Sequence, residues 1–146
     1  MSLRERVGTW LRGDEAPVIL TAVVFALPAA YAVRELVPGA EFELGFFALM
    51  TVGVGVPRIY ERWPVRYHRP VAVAWTLGVG FLVAGELSAI YVGVLTVSSP
   101  VVAAIVAFVV TDLGNVLLVS ALFGGAGRAE DETAGAADAV DAEETD

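Results

Sequence analysis

Long apolar stretches separated by short polar breaks dominate the chain. Ala16 to Val33 carries no charge and is closed by Arg34 and Glu35, a length that fits the roughly 20 residues a helix needs to cross hydrocarbon. Leu44 to Pro57 is an uncharged run of only 14 residues, which by length alone suits a re-entrant or buried helix equally well. Charge decides between the two. Arg58, Arg62, Arg66 and Arg69 follow this run, and if it did not span they would face the side opposite Arg4, Arg6 and Arg12, against the positive-inside bias. A helix over 42–60 with snorkelling ends puts both basic groups on one side. Val71 to Gly127 holds 57 residues with only two charged side chains, Glu86 and Asp112, and it breaks at Thr96-Val97-Ser98-Ser99-Pro100. The pattern predicts an all-α fold: an integral membrane four-helix bundle of two helical hairpins, with spans at about 16–35, 42–60, 70–97 and 100–123. Both termini are expected in the cytoplasm, with the protein multi-pass in the cell membrane.

The ends of the chain read differently. Ser2-Leu3-Arg4-Glu5 forms a capping-box pattern, and Leu3, Val7, Trp10 and Leu11 then recur at helical spacing before Gly13 and Pro17. Residues 1–15 are therefore expected to form an amphipathic helix in the interface, its arginines suited to anionic headgroups. A rival reading is a secretory signal peptide cleaved after Ala30-Tyr31-Ala32; Asp14, Glu15 and the membrane-like remainder weigh against it. Residues 16–127 form the transmembrane domain, and residues 128–146, built of Ala, Gly, Asp, Glu and Thr with one Val and one Arg, are expected to be a disordered acidic tail.

Composition sharpens this picture. At 57% hydrophobic residues, 146 residues would leave too much apolar surface outside one small soluble core. The net charge is -8, but eight of the 17 acids follow Gly127 against Arg128 alone, so the tail carries -7 and the rest -1. Nucleic acid is excluded as a partner by the lack of a basic surface. All nine basic residues are arginine. With the Ala, Val, Glu and Asp bias, this resembles the compositional style of halophilic archaeal proteins, which implies a tail that serves hydration in high salt. Without lysine, no retinal or pyridoxal Schiff base can form on this chain. With no cysteine and one histidine, His68, it offers no thiolate and no zinc or bis-histidine haem set. No cofactor or metal is expected, and no nucleophile with a base suggests an enzyme.

The candidate chemistry lies in the second hairpin. Measured from the midpoint between Ser98 and Ser99, Glu86 and Asp112 lie 12.5 and 13.5 residues away, hence at nearly one depth. Facing each other in a low dielectric, two carboxylates would share a proton or hold a cation, and no arginine lies between residues 70 and 127 to neutralise them. Thr111 and Asn115 extend this candidate proton or cation site: Glu86, Asp112, Asn115 and Thr111. The bland counterpart is a protonated Glu86 making one interhelical hydrogen bond. Small residues at steps of four support close packing, in Ala103, Ala107, Thr111 and Asn115, in Gly80, Ala84 and Ser88, and in Gly85, Ala89 and Gly93.

The loop "PRIYERWPVRYHRP" interleaves Arg58, Arg62, Arg66 and Arg69 with Tyr60, Trp63, Tyr67 and His68. Its arginines and Trp63 are candidate contacts for anionic lipid headgroups, within an ordinary topogenic loop with its aromatic belt. Tyr31 and Tyr91 are expected in the opposite belt. The leading functional expectation is a small structural or partner subunit, a homo-oligomer or the partner of another membrane protein. The alternative is a proton- or cation-coupled small transporter or channel using Glu86 and Asp112.

Overall fold

The computed structural model describes Gly13 and residues 15–123, so the expected interfacial helix over 1–15 and acidic tail over 128–146 lie outside the described residues. Four helices are present, with no strand among the described residues: α1 (Ala16–Leu36), α2 (Phe42–Glu61), α3 (Arg69–Leu95) and α4 (Pro100–Phe123). Each is long and apolar enough to cross a membrane, with mean hydropathy of 2.1, 1.4, 1.8 and 2.3 over its most apolar window. Proline opens α1, α3 and α4 within their first two positions, where no intrahelical donor is lost.

The helices are apolar all round rather than striped. Only 22–44% of each window is buried inside the chain, and Val24, Leu27, Phe81, Leu82 and Leu122 stand outward. A helix apolar on every face is built for an apolar surround.

Small residues bring the backbones together. The main core joins Ala26, Ala29 and Val33 of α1, Leu44, Ala48 and Val52 of α2, Ala84, Leu87 and Tyr91 of α3, and Ala103, Ala104 and Ala107 of α4. Gly80 marks the tightest junction. A Cβ there would lie 3.0 Å from Cδ1 and Cε1 of Phe25 and 3.6 Å from Cγ1 of Val52, so α1, α2 and α3 converge on the missing side chain.

Two irregularities shape the bundle. Thr51–Gly55 of α2 is a π-helical turn, which absorbs one residue more than an α-turn. Phe47 stacks on Phe108 of α4 at 4.9 Å between ring centroids, and eight residues later Gly55 also faces α4. In a regular helix those positions would diverge by roughly 80°; absorbing one residue, about 100° of rotation, returns Gly55 to the side of Phe47.

The α1–α2 turn is the second irregularity. It passes through Gly39 at φ 73°, where a Cβ would also lie 3.0 Å from Cδ2 of Leu95. Tyr91 donates its hydroxyl to the Gly39 carbonyl and is wholly buried. The two tyrosines expected in one belt thus separate: Tyr31 is 68% exposed, whereas Tyr91 is an internal pin.

Candidate functional site

Four polar side chains within the apolar length of the bundle form two pairs. On the α3–α4 side, Asn115 donates from Nδ2 to Oε2 of Glu86 at 2.7 Å and to the Thr111 carbonyl at 2.9 Å. On the α2–α4 side, Nη1 of Arg58 lies 3.6 Å from Oδ2 of Asp112, whose side chain is 22% exposed. No hydrogen bond joins Glu86 to Asp112 among the described residues. The structure therefore divides the four residues of the candidate site: Glu86 with Asn115, Asp112 with Arg58, and Thr111 wholly buried behind Asn115.

Side-chain direction explains why Glu86 meets Asn115. In any helix the Cα–Cβ bonds lean toward the N-terminus, so across an antiparallel pair they lean in opposite senses. The residue at equal depth is passed over, and the carboxyl of Glu86 meets a residue about one turn further along α4.

The countercharge for Asp112 comes from outside the second hairpin. Arg58 sits three residues before the end of α2, and its long side chain reaches back to a carboxylate near the middle of α4. Gly55 makes the approach feasible: a Cβ at that position would be 3.1 Å from Oδ1 of Asp112. The local setting expected to lack a cation thus acquires one by tertiary packing. Arg58 was expected at the headgroups, and Gly55 carried no sequence signal beyond being one of two glycines in "TVGVG".

Two buried hydroxyls stand apart. Oγ1 of Thr51 and of Thr111 has no hydrogen-bond partner, whereas Thr76 and Ser88 each donate to the carbonyl four residues back at 2.7 Å.

The basic loop is tied to the protein. Arg66 donates to the carbonyls of Tyr60 at 3.2 Å and Glu61 at 3.3 Å, lies 3.8 Å from Glu15, and covers the Tyr60 ring at 5.2 Å. Arg62 donates to the Arg58 carbonyl at 3.1 Å, and Trp63 donates to the Tyr67 hydroxyl at 3.2 Å while its ring meets Trp75 and Phe123. Arg69 is the first residue of α3. Trp63, Trp75, Tyr60 and Phe123 thereby close the basic end of the bundle with edge-to-face aromatic contacts.

Two grooves between the helices are apolar. One of ≈ 430 Å³ runs between α1 and α3 along Phe25, Pro28, Ala32, Phe81 and Gly85, and one of ≈ 240 Å³ lies between α1 and α2 with Arg34 at its rim. No group of three or more His, Asp or Glu side chains capable of holding a metal ion occurs among the described residues.

Residues 12–70 match a family of unknown function, DUF7987. The match covers α1, α2 and the basic loop and stops before Glu86 and Asp112. No curated protein and no solved structure matches the chain.

Proposed function

We propose that this chain is a multi-pass membrane protein with both termini cytoplasmic, acting as a packing or partner subunit without catalytic chemistry of its own. One observation carries the reading: the two acids deep within the spans are each engaged by a side chain of another helix, Asp112 by Arg58 and Glu86 by Asn115. A relay of protons or cations works best with two carboxyls close enough to share the charge. Here the acids serve as ties, one from α4 to α2 and one from α3 to α4.

Orientation follows from the arginines. The basic end, where α2 stops and α3 begins, gathers Arg58, Arg62, Arg66 and Arg69, whereas the opposite turns hold Arg34 among Glu35, Glu41 and Glu43. The positive-inside bias places the basic end in the cytoplasm.

Reconstitution into liposomes loaded with a pH-sensitive dye tests the subunit reading. Under a proton or sodium gradient, the wild-type chain should leave the dye response of empty liposomes unchanged. Proton or sodium flux that Glu86→Gln abolishes while the fold is retained would overturn the reading in favour of coupled transport.

A further inference from the structure

At the end of the bundle opposite the basic loop, one arginine stands without a partner. Arg58, Arg62, Arg66 and Arg69 are all engaged, whereas Arg34 makes no ion pair and no hydrogen bond among the described residues. It is exposed two residues before the end of α1, although Glu35, Glu41 and Glu43 share that end. Arg34 follows Ala16 by 18 residues, which is about 27 Å along the helix axis and close to the roughly 30 Å of bilayer hydrocarbon. With the start of α1 at one boundary of the hydrocarbon, the guanidinium reaches the headgroups at the other.

Below Arg34 lies the ≈ 240 Å³ groove between α1 and α2. Its α2 wall is Phe42, Gly45, Phe46 and Leu49, spaced by three and four along one helix face. Gly45 opens it: a Cβ there would lie 3.5 Å from the Ala30 carbonyl oxygen and 3.7 Å from Cβ of Arg34, so the missing side chain leaves the space between the helices. From Phe42 to Leu49 the wall descends about 10 Å into the hydrocarbon.

Size and charge together specify the occupant. The groove is smaller than the roughly 300–1,000 Å³ of compact small-molecule sites and narrower than a helix about 10 Å across, so it suits a single flexible chain. A protein helix laid over it would also cover an unpaired guanidinium, a cost that an apolar partner does not repay. An amphiphile with an anionic head and an apolar tail matches both ends. The planar guanidinium presents a fork of donors that fits a phosphate with two hydrogen bonds, and the apolar wall takes the upper part of a tail. The three acids of this end make no contact with Arg34, so salt screens their repulsion more than it weakens a phosphate seated on the guanidinium.

We propose that the groove between α1 and α2 holds one anionic phospholipid of the leaflet opposite the basic loop, its phosphate on Arg34 and one acyl chain along Gly45, Phe46 and Leu49. The site rests on the multi-pass reading, which sets Arg34 at the headgroups, and is independent of the contacts expected at Arg58, Arg62, Arg66 and Arg69.

A tryptophan in the groove wall tests it on the full chain. Phe46→Trp places a fluorophore there, apart from Trp63 and Trp75 at the basic end, and the emission of the wild-type chain is subtracted. The chain is reconstituted in phosphatidylcholine vesicles carrying a minor fraction of lipid brominated on its acyl chains, either phosphatidylglycerol or phosphatidylcholine. Brominated phosphatidylglycerol should quench the groove signal with an apparent affinity about fivefold above that of brominated phosphatidylcholine. With Arg34→Gln added the two lipids should quench equally, and with Arg34→Lys most of the preference should remain. Since Arg34 makes no bond within the described chain, both variants should fold, as circular dichroism verifies. Equal quenching with Arg34 in place, or a preference that survives Arg34→Gln, would overturn the proposal. A groove signal shielded from both lipids would also overturn it and assign the groove to protein, a second copy included. Flotation of the same vesicles separates the readings: a chain that does not float with them sinks the multi-pass reading, whereas a floating chain without lipid preference sinks only the lipid site.

Discussion

Gly80 and Gly78 lie two positions apart on α3 and should respond oppositely to the same change. A methyl at Gly80 presses on Phe25 at 3.0 Å and on Val52, whereas at Gly78 it meets open space. Gly80→Ala should lower the thermal midpoint in detergent, the overpacking costing about 1–3 kcal/mol, while Gly78→Ala should leave it unchanged or slightly raised. Gly39→Ala combines a left-handed backbone with a 3.0 Å contact to Leu95 and should cost at least about 1 kcal/mol in the same melt. At this scale sequence was a partial guide. The stripe Gly80, Ala84, Ser88 and the stripe Gly85, Ala89, Gly93 read alike, yet the first turns its Gly and Ala into the chain and the second faces outward. Residue size says that a close approach is allowed, and only the azimuth of the helix says to what.

The helices themselves were legible, because length without charge is a strong constraint in a chain this apolar. Even the short uncharged run from Leu44 to Pro57 extends to a 20-residue helix, as the arginine bias requires. The π-turn at Thr51–Gly55 was not legible, since it adds a residue without changing the run's polarity. Nor was the pairing of Glu86 with Asn115, which depends on the opposed lean of side chains in antiparallel helices. The same reasoning makes a prediction. Deleting Val54 should convert the π-turn to regular α-helix and keep Phe47, Gly55 and Arg58 on the side of α4, so a double-mutant cycle on Arg58 and Asp112 should retain its coupling. Deleting Val79 from regular α3 should instead rotate Glu86 by about 100° relative to the first half of that helix and lower the melting temperature markedly.

For the whole molecule, the parity of spans and the arginine distribution make one forecast. Single cysteines at Val65 in the basic loop and at Val97 in the α3–α4 turn should fall on opposite sides of the membrane. In intact cells a membrane-impermeant maleimide should label Val97→Cys and spare Val65→Cys; the reverse pattern would invert the topology. The link between Tyr91 and Gly39 spans 52 residues and joins the second hairpin to the turn of the first. During synthesis, the first hairpin can insert and pair, but its turn gains the Tyr91 bond only after most of α3 has left the ribosome. A chain stopped before Tyr91 should therefore leave the Gly39 turn open to protease, and a Tyr91→Phe chain should leave it so even when synthesis is complete.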